Sequence, residues 1–426
     1  MGDNKQMRLH IDLHILELLT LPKISPPNEH IFFAQNNDVP WYVRYQPVSY
    51  KLISRSGNEG DFKAMVDRCN KVGVRIIVDV VINHMVGVSQ KSGVNGRSGS
   101  AGSDFDGTDG VEQFPEVPYT KADFNDYRCH GDIQGSDYQN SAERVKNCRL
   151  VGLLDLDQGK PDVRKKLVAY LDHLIDYGVA GFRYTNFNFG AAVSSAAKGS
   201  SDWKLLSKLG PGYGYGNYED HEVLNFIDNH DNQRDANPYV VTYKDGDRYR
   251  LAVAYMLAWP YGYPRVMSSF YFNSHDQGPP NVGAASDYKT KSPTFNKDQT
   301  CNASSGWVCE HRWPTIREMA KFRSAVQGTA ATQIFTDNQR IAFAREGKGF
   351  FALNGNDRSW SKFFTTTMPA GAYCDQYAGS LQNGKCTGQT ILVKDDGSAY
   401  LEIGSKQAVA FSIASRIGKF LFQTTA

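Results

Sequence analysis

The chain has 426 residues, an apolar fraction of 41% and a formal net charge of +2. That length exceeds one typical domain, so two or three domains are expected. So small a charge gives no electrostatic case for nucleic acid, and no apolar run is long enough to span a bilayer, so neither is expected as a partner.

In chain order, Met1 to Thr20 carries Asp3, Asp12 and Glu17 and lacks a clean apolar core and a small-residue cleavage site, which is wrong for an export leader. Glu59 to Val74 has apolar residues at helical spacing (Phe62, Met65, Val66, Cys69). Val74 to Val81, V-R-I-I-V-D-V-V, reads as a buried parallel strand that delivers Asn83 and His84 at its end. From His84 to about Val151 the chain is rich in Gly, Ser and Asp with no sustained period, a loop-rich insertion of the kind that often carries function. Pro161 to Tyr177 is an amphipathic helix, with Val163, Leu167, Leu171, Leu174 and Ile175 on one face, and runs into a strand over Val179 to Phe182.

Val223 to Ile227 repeats the earlier form, an apolar run feeding Asp228, Asn229, His230 and Asp231. Two strands that finish in polar clusters predict a barrel whose catalytic face gathers its strands' C-terminal ends. Arg250 to Trp259 reads as a helix and Val266-Met267 as the last barrel strand. After about Gly328, short alternating runs (Ile341 to Ala344, Gly349 to Leu353, Ile391 to Val393, Val409 to Ile413) separated by Gly, Asn and Asp turns predict an antiparallel β-sandwich. The seven cysteines form three close pairs, 129/148, 301/309 and 374/386, with Cys69 left over. With the glycosylation acceptor Asn302-Ala303-Ser304, they point to an oxidising compartment.

Two motifs, I-I-V-D-V-V-I-N-H-M and F-I-D-N-H-D-N-Q-R, closely resemble the α-amylase family in its animal, chloride-dependent branch. So do W-Y-V-R-Y-Q-P-V-S-Y, V-K-N-C-R-L-V-G-L-L-D-L, G-V-A-G-F-R, P-Y-G-Y-P-R-V-M-S-S, W-V-C-E-H-R-W and P-A-G-A-Y-C-D, in chain order from about Ser25 to the C-terminus. The resemblance implies an α/β fold: a (β/α)8 TIM barrel over residues 24–83 and 152–328, an excursion domain over 84–151, and a C-terminal all-β Greek-key sandwich over 329–426. It implies a secreted monomer acting on α-glucan (starch, glycogen, maltooligosaccharides), and disulfides Cys129–Cys148, Cys301–Cys309 and Cys374–Cys386. The family's partner for Cys69 and its first strand are not recognisable, so residues 1–23 read as foreign to the fold, the mark of an alternative first exon or a gene-model error.

By the same resemblance, Asp231 stands at the carboxylate that fixes the sugar in its transition-state shape. Trp41, Tyr42 and Tyr45 match the aromatic platform for glucose rings, with Gln46 beside it, and His84 and His230 match residues that hydrogen-bond the sugar. Asn83, the carbonyl of Lys146 and Asp155 match calcium positions, a site weakened because the ligand histidine's place holds Phe189. Arg183, Asn229 and Arg265 match the chloride triad.

Two of the three catalytic carboxylates have no counterpart. The family nucleophile lies in G-F-R-x-D, whereas this chain reads Gly181-Phe182-Arg183-Tyr184-Thr185. Tyr184 to Gly190 resembles the family's sixth strand, so strand five, with the general-acid glutamate, is expected to be absent together with strand one. The barrel is therefore expected to be incomplete. A retaining glycosidase needs both nucleophile and acid, so the expectation is an α-amylase relative with negligible activity. The alternatives are an active α-amylase, a non-catalytic glucan-binding or structural remnant, and a chain that does not fold stably. The mobile glycine-rich loop of the family is replaced by Asp235-Ala236-Asn237-Pro238.

Overall fold

The structure is a computed structural model and describes residues 23–182, 185–213, 219–220, 223–234, 237 and 239–418. They fall into two compact units, Met1–Arg183 with Phe272–Pro293, and Tyr184–Tyr271 with Thr294–Ala426. The segment expected to be foreign to the fold lies outside the described residues except for Lys23, which opens the first strand.

In the first unit, β1 (Lys23–Ile24) precedes helix α1 (Glu59–Lys71). The helix starts in a capping box: the Asp61 N–H donates to Asn58 Oδ1 and the Asn58 N–H to Asp61 Oδ2, each at 3.0 Å. Its apolar face, Phe62, Met65, Val66 and Cys69, is buried. Then come β2 (Ile77–Val78), β3 (His84–Gly87), β4 (Leu153–Asp155), helix α2 (Pro161–Asp176) and β5 (Gly181–Phe182). Strands β1, β2 and β5 make a parallel sheet in which Lys23, Ile77 and Gly181 share one register position and Ile24, Val78 and Phe182 the next. The runs expected as strands over Val74 to Val81 and Val179 to Phe182 are therefore paired only over two residues each, because the sheet has two register positions in common. Proline at the first helical position starts α2 without a wasted donor, and Val163, Leu167, Tyr170 and Leu174 are its buried stripe. Strands β3 and β4 pair antiparallel, His84 opposite Asp155, and so bring together the two ends of the loop-rich excursion. The excursion's Phe105, Phe114, Tyr119 and Phe124 share one core with Ile31, Val43 and Met85.

The second unit opens with β6 (Thr185–Asn186), helix α3 (Phe187–Ala197), β7 (Leu224–Phe226), helix α4 (Asp247–Ala258), β8 (Tyr263–Arg265) and helix α5 (Pro314–Ala325). Strands β6, β7 and β8 form a second three-stranded parallel sheet, with Phe226 opposite Arg265. Val266-Met267, expected as the last barrel strand, lies just past β8. The paired residues are Tyr263, Pro264 and Arg265, held in line when the Tyr263 N–H donates to the Val223 carbonyl at 2.9 Å. Helix α4 is buried on all sides from Leu251 to Ala258, as expected of an apolar helix with no solvent face.

The sandwich follows: β9 (Thr332–Asp337), β10 (Arg340–Ala344), β11 (Gly349–Asn354), β12 (Trp360–Thr365), β13 (Gly371–Cys374), β14 (Thr390–Val393), β15 (Ser398–Ile403) and β16 (Gln407–Ser412). Two antiparallel sheets, β9-β10-β11-β16 and β12-β15-β14-β13, enclose a core of Phe350, Phe364, Tyr373, Leu401 and Phe411. Arg345 seats the sandwich on α4. Its guanidinium donates to the carbonyls of Ala258 and of Thr329, the latter at 2.8 Å. The α/β class with a C-terminal all-β domain is as expected. Among the described residues the barrel portion is six parallel strands in two separate sheets of three.

Candidate functional site

A short 3-10 helix, Trp41–Tyr45, carries the aromatic residues of the first unit. Trp41 is half-buried and edge-on to Tyr42 (centroids 6.0 Å apart), Tyr45 (6.1 Å) and the His275 imidazole (6.4 Å). Its indole N–H donates to the His275 carbonyl at 3.0 Å, which fixes the ring plane. The Tyr45 hydroxyl donates to Asp79 at 3.0 Å, and Asp79 pairs with Lys23. His84 Nε2 donates to the Tyr45 carbonyl at 2.9 Å, leaving Nδ1 as an acceptor with no partner among the described residues. Burial lowers the His84 pKa, so the imidazole is neutral at neutral pH. Gln46 is a structural contact here: its Oε1 accepts the Gly87 N–H at 3.1 Å. Trp41, Tyr42, Tyr45, Gln46 and His84 thus meet at one place, rings with polar edges that suit the apolar faces and hydroxyl rims of sugars.

Asn83 and Asp155 also meet. Asp155 Oδ1 accepts from Asn83 Nδ2 at 3.0 Å and Oδ2 from Asn125 Nδ2 at 2.7 Å. No cationic side chain pairs with Asp155 among the described residues, and burial raises its pKa to about 6. A buried carboxyl answered only by amides, whose oxygens could turn toward a cation, fits calcium. Lys146 lies in the short helix Ala142–Asn147. Phe189, at the expected histidine position, belongs to the second unit, buried and stacked on Tyr261 at 6.5 Å.

In the second unit β7 runs into Asp228–Asp231. Asn229 is fully buried, and its Oδ1 accepts the N–H groups of Asp231 (2.9 Å) and Asn232 (2.8 Å), folding the strand end into a turn. That turn leaves Asp231 exposed. Asn229 Nδ2 has no partner among the described residues, and the Arg265 guanidinium lies over the Phe226 ring at 5.5 Å. An amide donor and a guanidinium fit an anion, chloride included. Arg183 and the residues Asp235, Ala236 and Pro238 of the replaced loop lie outside the described residues, as does the Thr185 side chain. His230 follows Asn229 in the same turn.

Sequence reasoning missed two acid groups. Asp228 and Glu310 are 1% and 0% exposed. Asp228 Oδ1 accepts from the Tyr249 hydroxyl at 2.9 Å, and Glu310 Oε2 from the Ser269 N–H at 2.6 Å. Burial, then the facing carboxylate of Glu310, pushes Asp228 well above the usual range, and burial raises Glu310 to about 7. The second group, Asp109, Glu112 and Asp126, has carboxylate oxygens within 4.8 Å of one another. Arg149 already answers it, reaching Asp109 at 2.6 Å and Asp126 at 2.7 Å. The acid D of F-I-D-N-H-D marked Asp228, but its partner is eighty-odd residues away and no local pattern joins them. All three expected disulfides are present, and Cys69 is buried and free.

Two family descriptions match: "Alpha amylase, catalytic domain" over residues 30–202 and "Alpha amylase, C-terminal all-beta domain" over residues 335–414. An alpha-amylase of Tribolium castaneum is 40% identical over 90% of this chain and 86% of its own length. Alpha-amylase 1B of Homo sapiens is 39% identical over 90% of this chain and 86% of its own. The Tribolium alignment runs over 445 positions, more than the 426 residues of this chain, so the relative contributes positions with no counterpart here. In structure, the chain is similar to a mutant of alpha-amylase I from Eisenia fetida in complex with maltohexaose, with a TM-score of 0.83, 29% identity and 94% of each chain covered.

Proposed function

The chain belongs to the alpha-amylase family, and we propose that it is a member that binds α-glucan without hydrolysing it. The observation that carries this is Gly181-Phe182-Arg183-Tyr184-Thr185, in which the family's nucleophilic carboxylate is replaced by a threonine. A hydroxyl is a weak nucleophile unless a base activates it, and retaining hydrolysis takes two carboxyls flanking the bond. Two of the acids that follow are engaged elsewhere. Asp202 caps a 3-10 helix through the Lys204 N–H, and Asp220 accepts the Gly262 N–H. Asp228 and Glu310 are too deeply buried to touch a sugar.

Binding rests on Trp41, Tyr42, Tyr45 and His84 in the first unit, while His230 and Asp231 are assigned to it by their family motif alone. Calcium at Asn83, Asp155 and the Lys146 carbonyl would supply the positive charge that Asp155 lacks. Chloride would have a structural role at Asn229, Arg265 and Arg183, since the general acid it serves in the family is missing. The three disulfides favour an extracellular setting.

The test is direct. Purified protein is expected to sediment with insoluble starch and release no reducing sugar, and Trp41→Ala is expected to weaken the sedimentation about tenfold, in line with the loss of a stacking ring. Starch hydrolysis abolished by Asp231→Asn would instead establish an active amylase, the reading that family identity favours.

A further inference from the structure

Outside the sugar-binding residues, the first unit holds three basic side chains together, none of which has an acid at ion-pair distance among the described residues. Arg44 donates to neutral oxygens only: the Pro26 carbonyl at 3.2 Å, Ser54 Oγ at 3.1 Å and Ser56 Oγ at 2.6 Å. Arg55, 8% exposed, donates twice to the Tyr288 carbonyl, at 3.3 and 2.8 Å. Neither guanidinium has a carboxylate at ion-pair distance among the described residues. His30 is fully buried beside them. Its Nδ1 donates to the Ile31 carbonyl at 2.7 Å, and its Nε2 has no partner among the described residues.

Each of these groups is electrostatically uncomfortable. Burial, then the charges of Arg44 and Arg55, push the His30 pKa well below its ordinary value. Burial and the charge of Arg55 bring Arg44 down to about 10, and burial, partly offset by Asp38, brings Arg55 to about 10. The two nearby acids have donors of their own. Asp38 accepts from the N–H groups of Val39 and Gly278 and from Asn281 Nδ2, and Glu29 from Ser49 Oγ and the N–H groups of Ala101 and Ser103. Uncompensated buried charge is costly unless a counter-charge is supplied. Arg44, Ser54 and Ser56 are only half-buried, so solvent ions reach this place. Both serine hydroxyls accept from Arg44, which leaves their own protons free to donate.

We infer that Arg44, Arg55, Ser54 and Ser56, with His30 beside them, form a binding site for a small inorganic oxyanion. Planar guanidiniums pair with tetrahedral oxyanions through two parallel N–H donors, and the hydroxyls add donors of the kind such ions accept. A bound anion would draw a proton from solvent onto His30 Nε2, the one ring nitrogen left open. The site uses none of the residues matched to chloride and does not depend on the proposal for glucan.

The experiment uses the full chain and inorganic phosphate, at constant chloride and constant ionic strength. Phosphate is expected to raise the melting temperature saturably and to shift the His30 imidazole resonances toward the protonated form. Arg44→Gln or Arg55→Gln is expected to raise the phosphate concentration for half-maximal effect at least tenfold. Should either variant fail to fold, Ser56→Ala, which keeps both arginines, is expected to weaken phosphate by about threefold. No saturable phosphate effect on the wild-type protein overturns the inference. So does an effect of equal size in the folded variants, or a His30 signal unmoved at saturation.

Discussion

Glu310 is a carboxyl that folding takes wholly out of water, and its raised pKa makes stability depend on pH. In the unfolded chain it ionises near its ordinary 4.5, and in the folded chain only at about 7. Between these values the folded state holds the extra proton, so stability is full below about pH 4.5 and is lost as pH rises through 7. The loss is on the order of 3 kcal/mol, at about 1.4 kcal/mol for each pH unit. Glu310→Gln is expected to match the wild-type melting temperature at pH 5 and exceed it at pH 8, and equal melting at both pH values would contradict this. Asp155 gives the calcium test: millimolar calcium is expected to raise the melting temperature, and Asp155→Asn to remove most of the gain. At this scale the sequence was informative where chemistry is local. The residues of W-Y-V-R-Y-Q and I-N-H come together at one place, because each motif is one short stretch of backbone. Asp228 with Glu310 was hidden because only tertiary packing brings β7 near the short 3-10 helix Glu310–Arg312.

At the scale of elements, Gly190 decides how closely α3 approaches β7. A Cβ there would stand 2.5 Å from the Phe226 carbonyl oxygen and 2.9 Å from that of Ile227. Backbone cannot yield as a flexible side chain can, so Gly190→Ala is expected to cost about 1–3 kcal/mol, measured by urea denaturation. It is also expected to weaken glucan binding, since the displaced strand carries Asn229 to Asp231. Helices were readable with their burial stripes, since α1 and α2 each repeat apolar residues over several turns. Short parallel strands were not. Runs such as Val74 to Val81 are apolar beyond their paired residues, and Tyr263-Pro264-Arg265 has none of the β-branched character that marked Val266. In the sandwich, long antiparallel ladders such as Phe350 opposite Phe411 made pattern and pairing coincide.

At the scale of the whole molecule, two residues lie between Phe182 at the end of β5 and Thr185 at the start of β6. A single helical turn alone takes about 3.6 residues. The strand-helix alternation of a (β/α)8 barrel is therefore interrupted at this junction. The three disulfides leave Cys69 alone on the buried face of α1. Its consequence lies in how the reduced chain matures. With seven thiols, every oxidation route must leave one behind, and until α1 docks, that thiolate can attack any bridge already closed. Cys69→Ala is expected to raise the yield of correctly bridged protein from glutathione-buffered renaturation about twofold, since attack by this thiolate would otherwise scramble bridges already formed. An unchanged yield would mean that α1 docks before the first bridge forms.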